Sequence, residues 1–509
     1  MKETRKRFYL IGIDSAPLWI IERLCKNHSM NGFNLFIGGK SLVNIESTVP
    51  PVTSAAWPTV YTGLEPKDHG IIDFSGIDED YGKRLLYYDQ SENPPFWDVL
   101  AAKGFKSLVM TPAVALEKSR YSNVDMVTGW PLQPRFTSRK VEEACKRFGF
   151  EGEPDIGNAL NTGKLSLSDA TKIYAESTKK RAEASIYLID RNNYDMSFIC
   201  FTETDRIQHY SLSLKDWEDY VAPLYEEISD FIMYLHKRIV KLGENAELMI
   251  VSDHGAQQIR HKFLSNSWMA QNGYVALKDE AYRKRPQRKK GAVSDLKSSI
   301  VNRLVESRFR RQVYSKLPRS VQKIAESFVE ESFDYESEGR YVRISESDFD
   351  MPRTKAFCSV AFGPMGMIWV NDQRFSMPSI KKGEKERLKR EITAKLKKIK
   401  SAEKKPLVKN VYDGSKFFSD SGKLIPPDLV FELKEGYTAD FSGYSKNHIF
   451  TKPEINRRGE HTRMGVFGLK AYKGKTDVSK PYIGKLKLSD VNPIILDYFG
   501  VARSERSLK

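Results

Sequence analysis

Hydrophobic positions along the chain fall into two patterns. Short apolar runs, Phe8 to Ile13, Met196 to Phe201 and Leu248 to Val251, stand before a carboxylate, Asp14, Asp205 and Asp253 respectively. Between them, Pro17 to Cys25, Phe96 to Lys103, Ala170 to Ile189 and Trp217 to Val240 mix apolar and polar residues at helical spacing. A run with no polar side predicts a strand covered on both faces, and strands alternating with helices predict an α/β fold with a mostly parallel central sheet sandwiched by helices. In such sheets chemistry gathers beyond the carboxyl ends of the strands. Met367 to Val370 and Leu429 to Leu433 predict further strands, so the core resumes after an interruption. The chain therefore divides into a first part of the catalytic core (1–275), a basic helical insertion or lid (276–340) and a second part of the core (341–509).

Composition narrows the class. The longest stretch without charge, Ser47 to Leu64, carries Pro50, Pro51 and Pro58 and cannot form a membrane-spanning helix. After the basic residues Lys2, Arg5, Lys6 and Arg7, the apolar run is broken by Asp14 too early for an export signal. Cys25, Cys145, Cys200 and Cys358 are far apart with no CxxC pair, which fits a reducing cytoplasm and offers neither a zinc knuckle nor a disulfide framework.

Of the 509 residues, 281–323 carry a net charge of +12 and 381–410 a net charge of +9, while the net for the whole chain is only +16. The body is mildly acidic, so the basic balance describes two segments and not a general nucleic-acid surface. The first opens with Arg283, Lys284, Arg285, Arg288, Lys289 and Lys290 and continues with Leu296, Ile300, Leu304, Val305 and Phe309 at helical spacing. Two readings compete: a solvated lid helix resting on the body, or a contact with an anionic membrane surface or a lipid-linked or polyanionic substrate. Peripheral attachment at the inner membrane surface follows from the second. Few aromatics interleave the charges, so no specific nucleic acid is predicted. The second segment, Lys381 to Lys400, interleaves Glu and Lys as a solvated helix face does. Oligomeric state is not encoded in any pattern found here.

Eight histidines make their pairing with acids informative. Asp205 and His209 are four apart, one helical turn, which sets both on one face. Asp253 and His254 are adjacent just past an apolar strand, and His461 lies in Gly459-Glu460-His461-Thr462-Arg463. Each pair alone reads as readily as a cap or turn. Shared placement at strand ends, with Asp14 as a further contributor, raises them to a metal constellation, because the sheet can bring those ends together; imidazole with carboxylate suits zinc or manganese. A hydroxyl nucleophile is available in Pro51-Val52-Thr53-Ser54, where either Thr53 or Ser54 could be activated by a metal; neither a GxSxG elbow nor a Ser-His-Asp arrangement is legible. Gly38-Gly39-Lys40-Ser41 imitates the end of a P-loop, but Asn34 stands where the pattern needs glycine, and the segment is read as a turn.

These residues resemble the alkaline phosphatase superfamily, in its type I phosphodiesterase/nucleotide pyrophosphatase branch and prokaryotic relatives. The resemblance rests on Asp14, Pro51-Val52-Thr53-Ser54, Thr62-Gly63-Leu64, His69-Gly70-Ile71, Asp205 to His209, Ser252 to Gly255, His461 and the closing Asp490 to Leu496, in that order. It covers about residues 7–275 and 345–500. It implies two divalent ions, most simply Zn2+ with Mn2+ as the alternative: one held by Asp14, Asp253 and His254 and touching Thr53, the other by Asp205, His209 and His461. It implies Thr53 as nucleophile, a phosphothreonine intermediate, and a diester or pyrophosphate substrate in preference to a monoester. Phosphotransferases and sulfatases share the fold, although Thr53 cannot mature into the formylglycine that sulfatases use. His69 matches a motif histidine read as structural. One departure stands out: Phe74 occupies the place of the Asn that nucleotide pyrophosphatases usually carry, so nucleotide specificity is not carried over.

Overall fold

The computed structural model describes residues 5–39, 41–86, 88, 92–131, 133–283, 342–419, 424–454, 457–472 and 486–502. The basic cluster and the amphipathic pattern of the 276–340 segment fall, from residue 284 on, outside the described residues, as does Lys40 of the P-loop imitation.

The central sheet has seven strands: β1 (Lys6–Ile13), β2 (Leu42–Glu46), β3 (Ser107–Met110), β4 (Val124–Val127), β5 (Met196–Phe201), β6 (Asn245–Val251) and, late in the chain, Met464–Ala471. Their order is β2, Met464–Ala471, β6, β1, β5, β3, β4. From β6 to β4 every neighbour is parallel, and Met464–Ala471 pairs antiparallel with both β6 and β2. The fold is thus the α/β class that the pattern predicts.

The apolar runs have a direct cause. Tyr9, Ile11 and Ile13 of β1 enter one hydrophobic cluster, with helices α1 (Leu18–Asn27), α2 (Leu167–Arg191) and α3 (Trp217–Leu242), while Phe8 and Leu10 enter a second on the opposite face. With both faces dry, no position in the strand is left for a polar residue. The buried strands are thus mostly apolar, and the polar residues inside them, Asp125 of β4, Ser197 of β5 and Glu247 of β6, are themselves buried.

Met367 to Val370 and Leu429 to Leu433 are strands but do not extend the central sheet. They lie in a separate four-stranded antiparallel sheet, ordered Ala356–Phe362, Met365–Val370, Leu429–Leu433, Val408–Asp413, with its own core around Phe357, Met367, Trp369, Val430 and Phe431. Short apolar runs carry no mark of which sheet they join. Lys381 to Lys400 holds a helix at Lys385–Leu396, which buries Leu388 and Ile392 against that sheet's core. Among the described residues, no helix is long and apolar enough to cross a membrane.

Candidate active site

Parallel pairing puts the carboxyl ends of β1, β5 and β6 on one edge: Ile13 is opposite Phe201, and Gly12 is opposite Val251. Asp14 continues β1, its N–H donating to the Phe201 carbonyl at 2.9 Å. Asp205 and His209 sit on the helix Glu203–Ser211 that leaves β5. Asp253 and His254 follow β6 in a loop tied down by Ser252, whose hydroxyl donates to the His254 carbonyl at 2.6 Å and accepts from Ala16 N–H at 2.7 Å. His461 arrives on the strand Gly459–Thr462, which pairs antiparallel with Gly255–Gln258 and sets His461 opposite Ala256. Thr53 opens the helix Thr53–Thr62, after the Pro50-Pro51 segment.

All seven predicted side chains converge. Asp14 Oδ1 and Asp253 Oδ2 lie 3.5 and 3.3 Å from His254 Nε2. Asp205 Oδ1 lies 3.4 Å from His209 Nε2 and 3.3 Å from His461 Nε2, and those two nitrogens are 3.2 Å apart. Thr53 Oγ1 is 3.3 Å from His254 Nε2. Ligating atoms of Asp14, Asp253 and His254 fall within 4.8 Å of one another, and so do those of Asp205, His254 and His461. His254 therefore stands between the two groups, its ring stacked on that of His461 with centroids 3.8 Å apart.

The ring tautomers decide what this nest can hold. Each imidazole has its Nδ1 at a backbone carbonyl: His209 to Gly459 at 2.9 Å, His461 to Pro51 at 2.9 Å and His254 to Gly255 at 3.2 Å. With Nδ1 donating, Nε2 of the neutral ring presents a lone pair. The carboxylate oxygens facing those lone pairs, Asp14 Oδ1, Asp205 Oδ1 and Asp253 Oδ2, are buried and accept no hydrogen bond among the described residues. Acceptors thus face acceptors at 3.2–3.5 Å, an arrangement that requires a proton or a cation between them. The donor set of carboxylate oxygens and imidazole nitrogens fits a divalent metal.

Electrostatics agree. Burial first, and then the neighbouring carboxylates, push Asp14 well above the ordinary range, and burial does the same to Asp253. Burial opposes ionisation of Asp205 too, yet without a metal a proton carried on Nε2 of His209 or His461 holds it well below the ordinary range, in the place a cation would take. His254 is driven well down by burial and then by His461, which keeps it a neutral ligand. Three buried acids within reach of one another are a standing electrostatic penalty that a cation would remove.

Several supports were not legible in the sequence. Trp57 Nε1 donates to Asp14 Oδ2 at 3.1 Å, Ser15 N–H donates to Asp253 Oδ1 at 3.2 Å, and Thr204 Oγ1 donates to the Asp14 carbonyl at 2.6 Å. Ser54 is as buried as Thr53, but its hydroxyl meets no partner among the described residues, whereas that of Thr53 reaches His254. His69 is clamped outside the nest: Ile71 N–H donates to its Nδ1 at 3.1 Å, and its Nε2–H donates to Thr59 Oγ1 at 3.0 Å. Phe74 is half-buried and joins an aromatic group with Trp130 and Phe362.

Fold and site together define a metal-dependent phosphoester hydrolase of the alkaline phosphatase superfamily. Residues 9–359 match the type I phosphodiesterase / nucleotide pyrophosphatase family, and the chain belongs to it. Among solved structures, it is similar to phosphonoacetate hydrolase from Sinorhizobium meliloti 1021 in complex with phosphonoacetate, at 12% identity, a TM-score of 0.53, and coverage of 99% of this chain and 96% of that one. The same hydrolase with phosphonoformate aligns at 14% identity and a TM-score of 0.52, with coverage of 99% and 96%. Both likenesses concern the fold. Murine ectonucleotide pyrophosphatase / phosphodiesterase 5 aligns at 12% identity and a TM-score of 0.42 over 97% of this chain and 95% of that one. No curated protein matches the sequence.

Proposed function

We propose that the protein is a two-metal phosphodiesterase or pyrophosphatase that works through a phosphothreonine at Thr53. Asp14, Asp253 and His254 would hold one divalent ion beside Thr53, and Asp205, His209 and His461 the other, with zinc or manganese matching the donors. The observation that carries the reading is the position of Thr53 Oγ1, buried and 3.3 Å from His254 Nε2, at the junction of the two ligand groups. Two bound cations supply the positive charge that favours a threonine alkoxide and that takes up charge on the departing oxygen.

The chain's own part is orientation. The Nδ1 contacts fix three imidazoles, Trp57 and Ser15 fix two carboxylates, and Thr53 and Ser54, at the start of the Thr53–Thr62 helix, would offer backbone N–H groups to incoming anionic oxygens. Thr53 Oγ1 attacks phosphorus as the ester oxygen leaves. Water then attacks the phosphothreonine, the bond from phosphorus to Oγ1 breaks, and two inversions give net retention. Four free thiols, Cys25, Cys145, Cys200 and Cys358, support a reducing, cytoplasmic setting. The charge of 281–323 supports a substrate with an anionic or lipid-linked far end.

The test is Thr53→Ala assayed on bis-p-nitrophenyl phosphate after loading with zinc or manganese. Turnover should fall at least about a thousandfold with the metal content of the wild type retained, and rapid-quench mass spectrometry of the wild type should find a p-nitrophenyl phosphoryl group on the Thr53 peptide. Undiminished hydrolysis by the alanine variant removes Thr53 from the role.

A further inference from the structure

A groove of uncompensated positive charge lies at the amino end of the central sheet, away from the metal-ligating nest. The loops that lead into β3, β4 and β5 line it: Lys106 precedes Ser107, Asn123 precedes Val124, and Asn192 to Tyr194 come just before Met196. Asp205 lies beyond the other end of β5, and the six residues of that strand span about 20 Å at roughly 3.3 Å each. The two places are therefore separate. Two adjoining cavities make the groove, of about 140 and 360 Å3, and Lys140 and Asn192 line both. The larger lies between the helix Arg139–Phe148 and the carboxyl end of α2, with Arg147, Tyr187 and Arg191 on its walls.

Two guanidinium groups are held against one ring there. That of Arg191 lies 3.9 Å and that of Arg147 5.1 Å from the Tyr187 centroid, and Phe148 supports the same ring edge-on at 5.7 Å. Tyr187 and Arg191 are four apart on α2, which puts both on one face. Contact with a ring orients a guanidinium without neutralising it. The acids nearby are engaged elsewhere. Asp190 accepts from Tyr234 at 2.5 Å and Arg238 at 3.0 Å, Glu143 from Arg139 at 2.7 Å, and Asp125 from Tyr194 at 2.8 Å with Lys140 at 2.5 Å. Among the described residues, no carboxylate pairs with Lys106, Arg147 or Arg191.

A guanidinium presents a planar fork of N–H donors that fits two oxygens of a phosphoryl group, and an ammonium takes a second anionic group as a point charge. Concave walls and the size of the larger cavity suit a small molecule. We infer that this groove binds a soluble organic phosphate, with its phosphoryl group on Arg147 and Arg191 and a second anionic group on Lys106. Lys140 is already committed to Asp125 and borders the path between the two ends. No metal-ligating residue takes part, so the site stands or falls independently of the two-metal reading.

The test follows backbone hydrogen exchange of the zinc-loaded full chain with propylphosphonate or propane-1,3-diphosphonate, which carry one and two anionic heads and no ester. Both should slow exchange in peptides covering 139–148 and 187–194, the diphosphonate at a concentration about tenfold lower. Arg147→Gln combined with Arg191→Gln should abolish that protection and keep bis-p-nitrophenyl phosphate hydrolysis within about twofold of the wild type; both side chains are exposed, so the variant should fold. Lys106→Gln should remove only the advantage of the diphosphonate. Protection confined to the peptides around Asp253 and His254, or protection at 139–148 and 187–194 that survives the double substitution, overturns the inference. Phosphatidate vesicles should leave the bound diphosphonate in place, and its displacement by them would overturn the assignment to a soluble ligand.

Discussion

Trp57 donates its indole N–H to Asp14 Oδ2 at 3.1 Å, and it can do so because Gly12, two residues before Asp14 in β1, has no side chain. A β-carbon at Gly12 would stand 2.7 Å from Trp57 Cη2 and 3.0 Å from a Phe198 ring carbon. The helix that starts with Thr53 is thereby pressed against the strand that ends at Asp14, so nucleophile and ligand share one packing contact. Gly12→Ala should lose about 1–3 kcal/mol in urea unfolding and weaken metal binding at the Asp14 end. An equally stable variant with wild-type metal affinity would mean that the contact sets nothing.

Asp14 and Asp253 are held above the ordinary carboxylate range by burial, so in the metal-free protein they retain protons to a higher pH than exposed acids do. Metal binding must displace those protons. Calorimetric titrations with zinc in buffers of different ionisation enthalpy should therefore report proton release, and affinity should fall as pH falls. Chelation with EDTA should abolish hydrolysis and leave salt-dependent surface binding alone. Asp253→Asn should lose the metal-induced stabilisation, about 2.7 kcal/mol at a hundredfold excess over Kd, with metal-free stability no lower than that of the wild type.

His69 is pushed down from 6.5 to about 4 by burial. The unfolded chain takes up this proton first as pH falls, so the stability linked to a neutral His69 is present above about pH 6.5 and is lost as pH falls toward 4. The span amounts to about 3 kcal/mol. In EDTA, the stability of the wild type should fall more steeply between pH 6.5 and 4 than that of His69→Gln; parallel curves would show that His69 does not carry the slope.

Arg181 and Glu203 form a fully buried ion pair, Nη2 to Oε1 at 2.7 Å and Nη1 to Oε2 at 2.8 Å, and Arg181 also donates to the Cys200 carbonyl at 2.7 Å. The pair fixes the first turn of the helix that carries Asp205 and His209. Arg181→Met strands a buried carboxylate and should lose about 3–5 kcal/mol. Arg181→Met combined with Glu203→Gln should recover part of that loss, and a single variant as stable as the wild type would refute the account.

How much was legible follows from what a sequence can encode. The runs before Asp14, Asp205 and Asp253 marked strands buried on both faces, and the spacing of Asp205 and His209 marked a helical face, because burial and helical pitch act on residues close in the chain. Met367 to Val370 and Leu429 to Leu433 were readable as strands, but their membership of a separate antiparallel sheet depended on partners dozens of residues away. The sequence by itself determined which residue types stood at the ends of which elements, and so the chemistry on offer. Only the tertiary structure decided that Nδ1 of three imidazoles meets carbonyls of Pro51, Gly255 and Gly459, that Trp57 reaches Asp14, and that Phe74, Trp130 and Phe362 line up beside His461. Apart from that of His254 with its neighbour Gly255, those contacts join residues from 43 to 410 positions apart, and the orientation of a ring or a lone pair is set by packing in three dimensions, which no local spacing records.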